Sequence, residues 1–357
     1  MRTNFIIFSV TIVCFLSIQS CINEDKIIFY DEFDETVTLQ STSIRQIGNN
    51  TLPLNIDVYK DYLILCDTRD ENSFSVYKLP DYDFLGKFGK PKDKNGLNSP
   101  IFWNQIYEEK GSIFLSAYQM NLKKFTTFDL HKALANNVQA KKIEYAFMPP
   151  EIGDAVNIVK LNKGEFIGAG LSSPGEFFVY KHDQDELLWK DFIIDFDENF
   201  SEKLKELGLY QEYKRGIIKA KPDKSRFVKV YNFAPIIRVF DKNANVIFTL
   251  KSKNIEKPTI TTDNFSFDNM AFFNNVYTTD NYFYVVNQNC KLNDVINNDC
   301  NSIEVFCFDW DGNPIKRFKL NQSIGILSPL AIDEINKNIY IVSPRDSISN
   351  IHKLSFN

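Results

Sequence analysis

The sequence predicts an all-β fold: a six-bladed β-propeller closed by an N-terminal strand, with a short helical insertion between blades three and four. Three observations predict it. The first is composition: 357 residues, 44% hydrophobic and 14% aromatic, with Phe at 32 and Tyr at 16 against only 14 Gly. Aromatic and β-branched residues fit a pleated, half-buried surface better than a helix. The second is a regular series of short apolar runs separated by turn residues. The third is that one order of strands recurs six times between Leu54 and Phe356. The repeat is about 50 residues, stretched to about 60 by loop insertions, which is the range of a four-stranded blade. Short strands alone would also fit a sandwich or a barrel; the recurring order favours the propeller.

The clearest unit is the fifth. Asn274–Val286 leads into SIEVFCFDWDGNPIKRFKL (Ser302–Leu320), where Asp311-Gly312-Asn313 punctuates two alternating runs as a hairpin. The first unit runs from Asn55–Tyr59 through YLILC (Tyr62–Cys66), Ser73–Leu79 and Phe84–Gly89. The second is Asn104–Tyr118 with Lys123–Leu130, and the third Val156–Gly170 with Glu176–His182. The fourth is Ala220–Tyr231 with Ile236–Leu250, and the sixth Leu330–Ser343 with Asn350–Phe356. Unit six ends after three strands. An orphan segment, Thr36–Ile47, alternates like a half-buried strand and is expected to pair with Ile351–Phe356, closing the ring and covering an open edge. Asn199–Gly216 breaks the pattern: Asn199 and Glu202 are spaced as a capping box, and Phe200, Leu204, Leu207 and Tyr210 form a helical stripe. Its plain reading is a decorated connection between blades.

At the N-terminus, Met1-Arg2 precedes an apolar run from Phe5 to Leu16 and then Ser17–Cys21. A short positive region followed by an apolar stretch too short to span a bilayer reads as a signal peptide. Ile18 and Ser20 before Cys21 resemble a bacterial lipoprotein signal, with Gln19 departing from the usual small residue. The reading is therefore a signal peptide over 1–20, a lipid-anchored tether over 21–35 and a propeller over 36–357, with Cys21 acylated. An ordinary secretory signal, with Cys21 incidental, is the alternative. The acidic Glu24-Asp25 resembles the surface-export signal of Bacteroidota lipoproteins.

Of the six cysteines, Cys14 leaves with the signal peptide, and Cys66 and Cys307 fall in strand patterns as buried thiols. Cys290 and Cys300 flank a polar loop, and an exported protein permits a disulfide between them. A zinc site at this pair is disfavoured by its spacing and by the lack of a nearby His.

The lipoprotein start, the six units, Lys87–Pro100 after the first blade and the stretch Lys221–Tyr231 together resemble the TolB-like six-bladed β-propeller lipoproteins of Bacteroidota. The likeness covers nearly the whole mature chain. Many members carry a Gly-rich turn and an acidic residue where this chain has the Lys-rich Lys87–Pro100, a departure. The resemblance implies a fold more than an activity.

Net charge is −5 with both signs interspersed, which leaves no basic footprint for nucleic acid. His131, His182 and His352 sit in or beside outer strands of different units, so they are poorly placed to converge at an axis. Nucleophile-elbow, zincin and P-loop motifs are absent from the sequence. Asp57, Asn104, Asn157, Asn275 and Asp333 lie near five inner strands, and an oxygen-rich ring of that kind suits Ca²⁺. The plainer reading is that they cap strands and turns. Asp67, Arg69, Tyr118, Asn232, Asn287 and Arg345 fall in loops between second and third strands, on the face where propellers usually bind ligands. The leading expectation is a binding or scaffold module for a protein, peptide or glycan, held at the outer membrane by its lipid and needing no cofactor. The alternative is a calcium-dependent lactonase or lyase. Fold alone decides neither.

Overall fold

A computed structural model of the chain describes residues 26–47, 53–67, 73–89, 101–135, 142–153, 155–170, 174–192, 198–253, 269–297, 299–300, 303–320, 329–342 and 350–356. N-terminal strands β1 (Ile27–Phe29), β2 (Glu35–Leu39) and β3 (Ser41–Ser43) precede the first blade. Blade one is β4 (Asn55–Tyr59), β5 (Tyr62–Cys66), β6 (Phe74–Lys78) and β7 (Asp83–Phe88). Blade two is β8 (Ile101–Glu109), β9 (Ser112–Gln119), β10 (Lys124–Asp129) and β11 (Lys142–Phe147). Blade three is β12 (Ala155–Asn162), β13 (Glu165–Gly170), β14 (Phe177–Lys181) and β15 (Glu186–Lys190). Blade four is β16 (Gly216–Ala220), β17 (Arg226–Tyr231), β18 (Ile236–Asp241) and β19 (Val246–Lys251). Blade five is β20 (Met270–Thr278), β21 (Tyr282–Lys291), β22 (Ile303–Asp309) and β23 (Pro314–Leu320). Blade six has β24 (Leu330–Asp333), β25 (Asn338–Val342) and β26 (Ile351–Ser355). Within each blade the strands pair antiparallel in chain order. The first strands of the six blades contact one another in a closed ring, β4, β8, β12, β16, β20, β24 and back to β4, which defines the axis.

The second strands show why the sequence reads this way. In YLILC, Leu63 and Leu65 enter the core shared with blade six, whereas Ile64 and Cys66 enter the core shared with blade two. Successive side chains of a strand point to opposite faces. Both faces of a blade are covered by neighbours, so the strand is apolar throughout rather than alternating. Phe283 and Val285 likewise face blade four, and Tyr284 and Val286 face blade six. The core is thus a series of inter-blade clusters, and the one joining blades five, six and one is continuous.

Turns follow local chemistry. Asp309 accepts the N–H groups of Asp311 and Asn313 at 3.0 and 2.8 Å, and Gly312 takes a φ of +92° that only a residue without Cβ adopts freely. Asp241 repeats the device in blade four, accepting from Asn243 and Asn245 at 2.8 and 2.9 Å.

Two expectations need correction. Thr36–Ile47 is not one strand on blade six. Ser41–Ser43 does pair antiparallel with β26, Leu354 opposite Ser41, and supplies the missing fourth strand. Glu35–Leu39 instead joins blade five, parallel to β23, with Val37 opposite Phe318 and Glu35 bridged to Lys316 at 2.7 Å. The stretch read as the end of a tether also belongs to the propeller: Ile27–Phe29 runs parallel to β19 of blade four, and Tyr30 is buried. A period-2 pattern says that a segment is a strand, not which open edge it will find. The insertion between blades three and four is helical, as α2 (Glu198–Glu206) and α3 (Tyr210–Tyr213), while a further short helix, α1 (Leu130–Ala135), follows β10. Asn199 lies one residue inside α2 rather than capping it. Leu204 and Tyr210 are buried, but Leu207 faces solvent because α2 ends before it, at a turn with Gly208 at φ +69°.

Candidate functional site

An inner strand has a partner on one side only, so part of its backbone faces the axis with no strand to bond. Side chains from other blades fill that need. The Gln105 amide of blade two accepts from the Lys160 N–H of blade three at 2.8 Å and donates to the Lys160 carbonyl at 3.1 Å. Thr278 of blade five donates to the Ala220 carbonyl of blade four at 2.7 Å. Lys219 of blade four reaches across the axis to the Asn104 carbonyl of blade two at 3.1 Å, and its ammonium stands 3.9 Å from Asp57 of blade one. Asn104 donates to Asp57 and accepts from Asn55. Burial pushes the Asp57 carboxyl up against the pull of Lys219 and Asn104, and pushes Lys219 down against the pull of Asp57. The space beside them is about 30 Å³, roughly the scale of a water or two.

Of the five residues weighed as an axial calcium ring, Asp57 and Asn104 meet, with a lysine at the place a cation would take. Asn275 accepts from the neighbouring Val276 N–H at 2.8 Å, and Asp333 caps its own turn through Asn336 at 2.9 Å. Asn157 is buried on β12. Among the described residues, no group of three or more His, Cys, Asp or Glu could hold a metal.

A larger cleft of about 250 Å³ opens between blades four and five. The N-terminal segment crosses it on the way from the edge of blade four to the edge of blade five. Tyr30 anchors that crossing, its hydroxyl donating to the Pro235 carbonyl at 3.0 Å and its ring edge-on to Phe308. Asp31 accepts from the Ser252 hydroxyl at 2.7 Å and from the Lys253 N–H at 2.9 Å. Phe33 packs on Phe306 with ring centroids 4.9 Å apart. Beside Phe306, on the same face of blade five, Arg317 donates to both carboxylate oxygens of Glu304 at 2.7 Å, and its guanidinium lies over Phe306 at 5.7 Å. Asn287 and Asn289 complete the polar side. An apolar wall with a few convergent polar groups is the usual form of a small-molecule site.

A six-bladed ring with this chain order, strapped by its own N-terminus, has relatives of known sequence. The profile of the TolB-like 6-blade propeller-like family matches residues 31–328. The chain belongs to that family. Among solved structures it is similar to a member of the DUF4221 family from Bacteroides vulgatus, at 11% identity and TM-score 0.51, covering 88% of this chain and 95% of that one. It is also similar to a catalytically inactive virginiamycin B lyase from Staphylococcus aureus with quinupristin, at 12% identity and TM-score 0.47, covering 89% and 99%. At these identities the likeness is one of fold. No curated protein sequence matches the chain.

In this TolB-like propeller the residues singled out on the loops have separate fates. Asn287, 7% exposed, lines the cleft. Tyr118 is wholly buried in the core between blades two and three. Asn232 is structural: its amide donates to the Phe273 carbonyl at 2.6 Å, and its own carbonyl accepts from Phe272 at 2.8 Å. Asp67 is buried, its N–H bonded to the Ser73 carbonyl at 2.9 Å. Arg69, Arg345 and Cys21 lie outside the described residues, as does most of Lys87–Pro100. Cys290 and Cys300 are disulfide-bonded, with Cα atoms 6.0 Å apart, and Cys66 and Cys307 are buried thiols. Sequence reasoning missed Tyr30, Asp31 and Phe33 because it ended the tether after them. It read Glu304 and Arg317 only as strand residues; their spacing from a hairpin turn puts them on facing strands, two residues out of direct register and so on the same face.

A second polar cluster, wholly interior, fastens blade three to blade four. Glu176 meets Lys229 at 3.3 Å and Arg238 at 3.5 Å and accepts from the Tyr231 hydroxyl; Arg238 donates to that hydroxyl at 3.0 Å. Lys214, at the end of α3, pairs with Asp191 and sits 3.9 Å over the Tyr210 ring. Burial pushes both Lys214 and Lys229 down to about 8. The stretch Lys221–Tyr231 thus contributes its Lys229 and Tyr231 to packing.

Proposed function

We propose that this chain is a binding module of the cell envelope, held at the outer membrane through acylated Cys21, and that its ligand seats in the cleft between blades four and five. The observation that carries this reading is the cleft itself. The N-terminal strap, blade four and blade five meet there and line it with aromatic rings, an Arg317–Glu304 pair and two amides. The axial groups support it by contrast, since their hydrogen bonds are spent on one another and on the backbone of inner strands. The lipid reading fits the position of the N-terminal strap. Ile27 is six residue steps from Cys21, an extended reach of at most about 20 Å, so the anchor would hold the outer edge of blade four near the bilayer. A calcium-dependent lactonase or lyase is the competing reading, and it would draw on Asp57 and Asn104.

The test is a thermal-shift and calorimetric screen of the purified mature chain against neutral sugars, short peptides and phosphate esters, with and without Ca²⁺. A compound that raises the Tm, and loses that effect in Arg317→Met and Phe33→Ala, supports the cleft. A compound turned over, or bound only with Ca²⁺ and lost in Asp57→Asn, moves the function to the axis.

A further inference from the structure

We infer that the ligand of this cleft is a neutral saccharide residue, a deepening that rests on the cleft being the binding site. Two kinds of group line the cleft, and each recognises a different part of a ligand. Phe33 and Phe306 pack with their rings tilted by 38°, and Phe272 adds a third ring to the lining. Such flat apolar faces match the C–H face of a pyranose ring, and aromatic rings give contact area at little cost in side-chain entropy.

Beside Phe306, on the same face of blade five, Glu304 and Arg317 are held in a fixed two-bond fork. Both bonds use a single terminal nitrogen of the guanidinium, so further N–H groups remain on Arg317, whose side chain is 33% exposed. Each carboxylate oxygen of Glu304 likewise has a second lone pair. The fork therefore offers a donor and an acceptor side by side, locked in place. Adjacent hydroxyl groups on a sugar ring each donate and accept, so a vicinal pair satisfies both at once. Asn287 and Asn289 repeat that pairing of donor and acceptor in one group.

Charge separates this class from others. The cationic guanidinium is already neutralised by Glu304, and Asp31 adds a second carboxylate to the lining. A phosphate or carboxylate ligand would meet net negative charge. A cationic ligand would find Asp31 already engaged by Ser252 and Lys253. A neutral molecule with one flat apolar face and a rim of hydroxyls meets neither obstacle.

The experiment is saturation-transfer NMR on the intact mature chain with glucose, galactose, mannose and N-acetylglucosamine, each at millimolar concentration, and with Gly-Phe-Gly and inorganic phosphate as other classes. The expected result is transfer from aromatic protons to the ring C–H protons of at least one sugar, on one face. Affinity should fall about tenfold or more in Glu304→Gln and in Arg317→Met. The wild-type transfer pattern stands as evidence even where a variant folds poorly. If the peptide or phosphate binds, loses affinity in the same two variants, and no sugar does, the saccharide class is overturned while the cleft remains the site. If no probe binds at the cleft, both readings fall together.

Discussion

Tyr277 of blade five and Val58 of blade one exchange two hydrogen bonds past the short inner strand of blade six. The Val58 N–H donates to the Tyr277 hydroxyl at 3.1 Å, and that hydroxyl donates to the Val58 carbonyl at 2.5 Å. One side chain thereby satisfies both backbone groups of Val58. Tyr277→Phe should leave a buried donor and a buried acceptor bare at nearly unchanged volume. The expected cost is about 1–3 kcal/mol, read as a lower urea midpoint with unchanged m-value. A loss below a few tenths would mean the bond is not holding blades five and one together.

The N-terminal strap should divide into an essential and a dispensable part. Leu39 is buried in the core of blades five, six and one, while Ile27 and Phe29 are about half exposed on the rim of blade four. Leu39→Ala should cost about 2–5 kcal/mol. Ile27→Ser and Phe29→Ser should each stay within about 0.5 kcal/mol. Differential scanning calorimetry of the three variants checks this. Equal losses would mean that β1 is as deeply held as β2.

The interior cluster at Glu176 should respond to its carboxylate more than to either cation. Glu176→Gln removes the one carboxylate charge that meets both Lys229 and Arg238, at about 3–5 kcal/mol. Lys229→Met leaves Glu176 still paired with Arg238, so its loss should be clearly smaller. Chemical denaturation of the two variants side by side tests the order, and the reverse order would refute it.

The same cluster sets a pH dependence. Burial lowers Lys229 from 10.5 to about 8. Between those values the unfolded chain holds more protons than the folded one, so stability rises as pH climbs through that window. Below about pH 8 the lysine is charged in both states and its contribution is flat. The Tm should therefore increase from pH 8 toward pH 10, and the increase should shrink in Lys229→Met. A parallel profile in the variant would place the dependence elsewhere.

The Cys290–Cys300 bond closes a short loop carrying α4 (Leu292–Asn297). In the chain-entropy account a loop of this length stabilises by about 3 kcal/mol. Reductant should lower the Tm of the wild type and leave that of a Cys290→Ala/Cys300→Ala variant unmoved. Mass spectrometry without reductant should find one bridge.

The sequence by itself determined the six blades, because strand periodicity is local. Second strands such as YLILC announce themselves by being apolar on both faces, and hairpins such as that at Asp309–Asn313 by their Asp, Gly and Asn. It also marked Cys290 and Cys300, near neighbours in the chain, as a pair that could bond, which the structure shows they do. Only the tertiary structure decided where the N-terminal segment went. Open edges on blades four, five and six look alike to a strand of period 2, and the choice rests on what each side chain then buries: Tyr30 against Phe308, Leu39 in the core by blade six. It also decided the roles of the polar residues. Asp57, Asn104 and Lys219 come from three blades, and Tyr30, Asn287 and Arg317 from three stretches of chain. Whether such groups meet depends on ring closure, a long-range event that leaves no mark on local spacing.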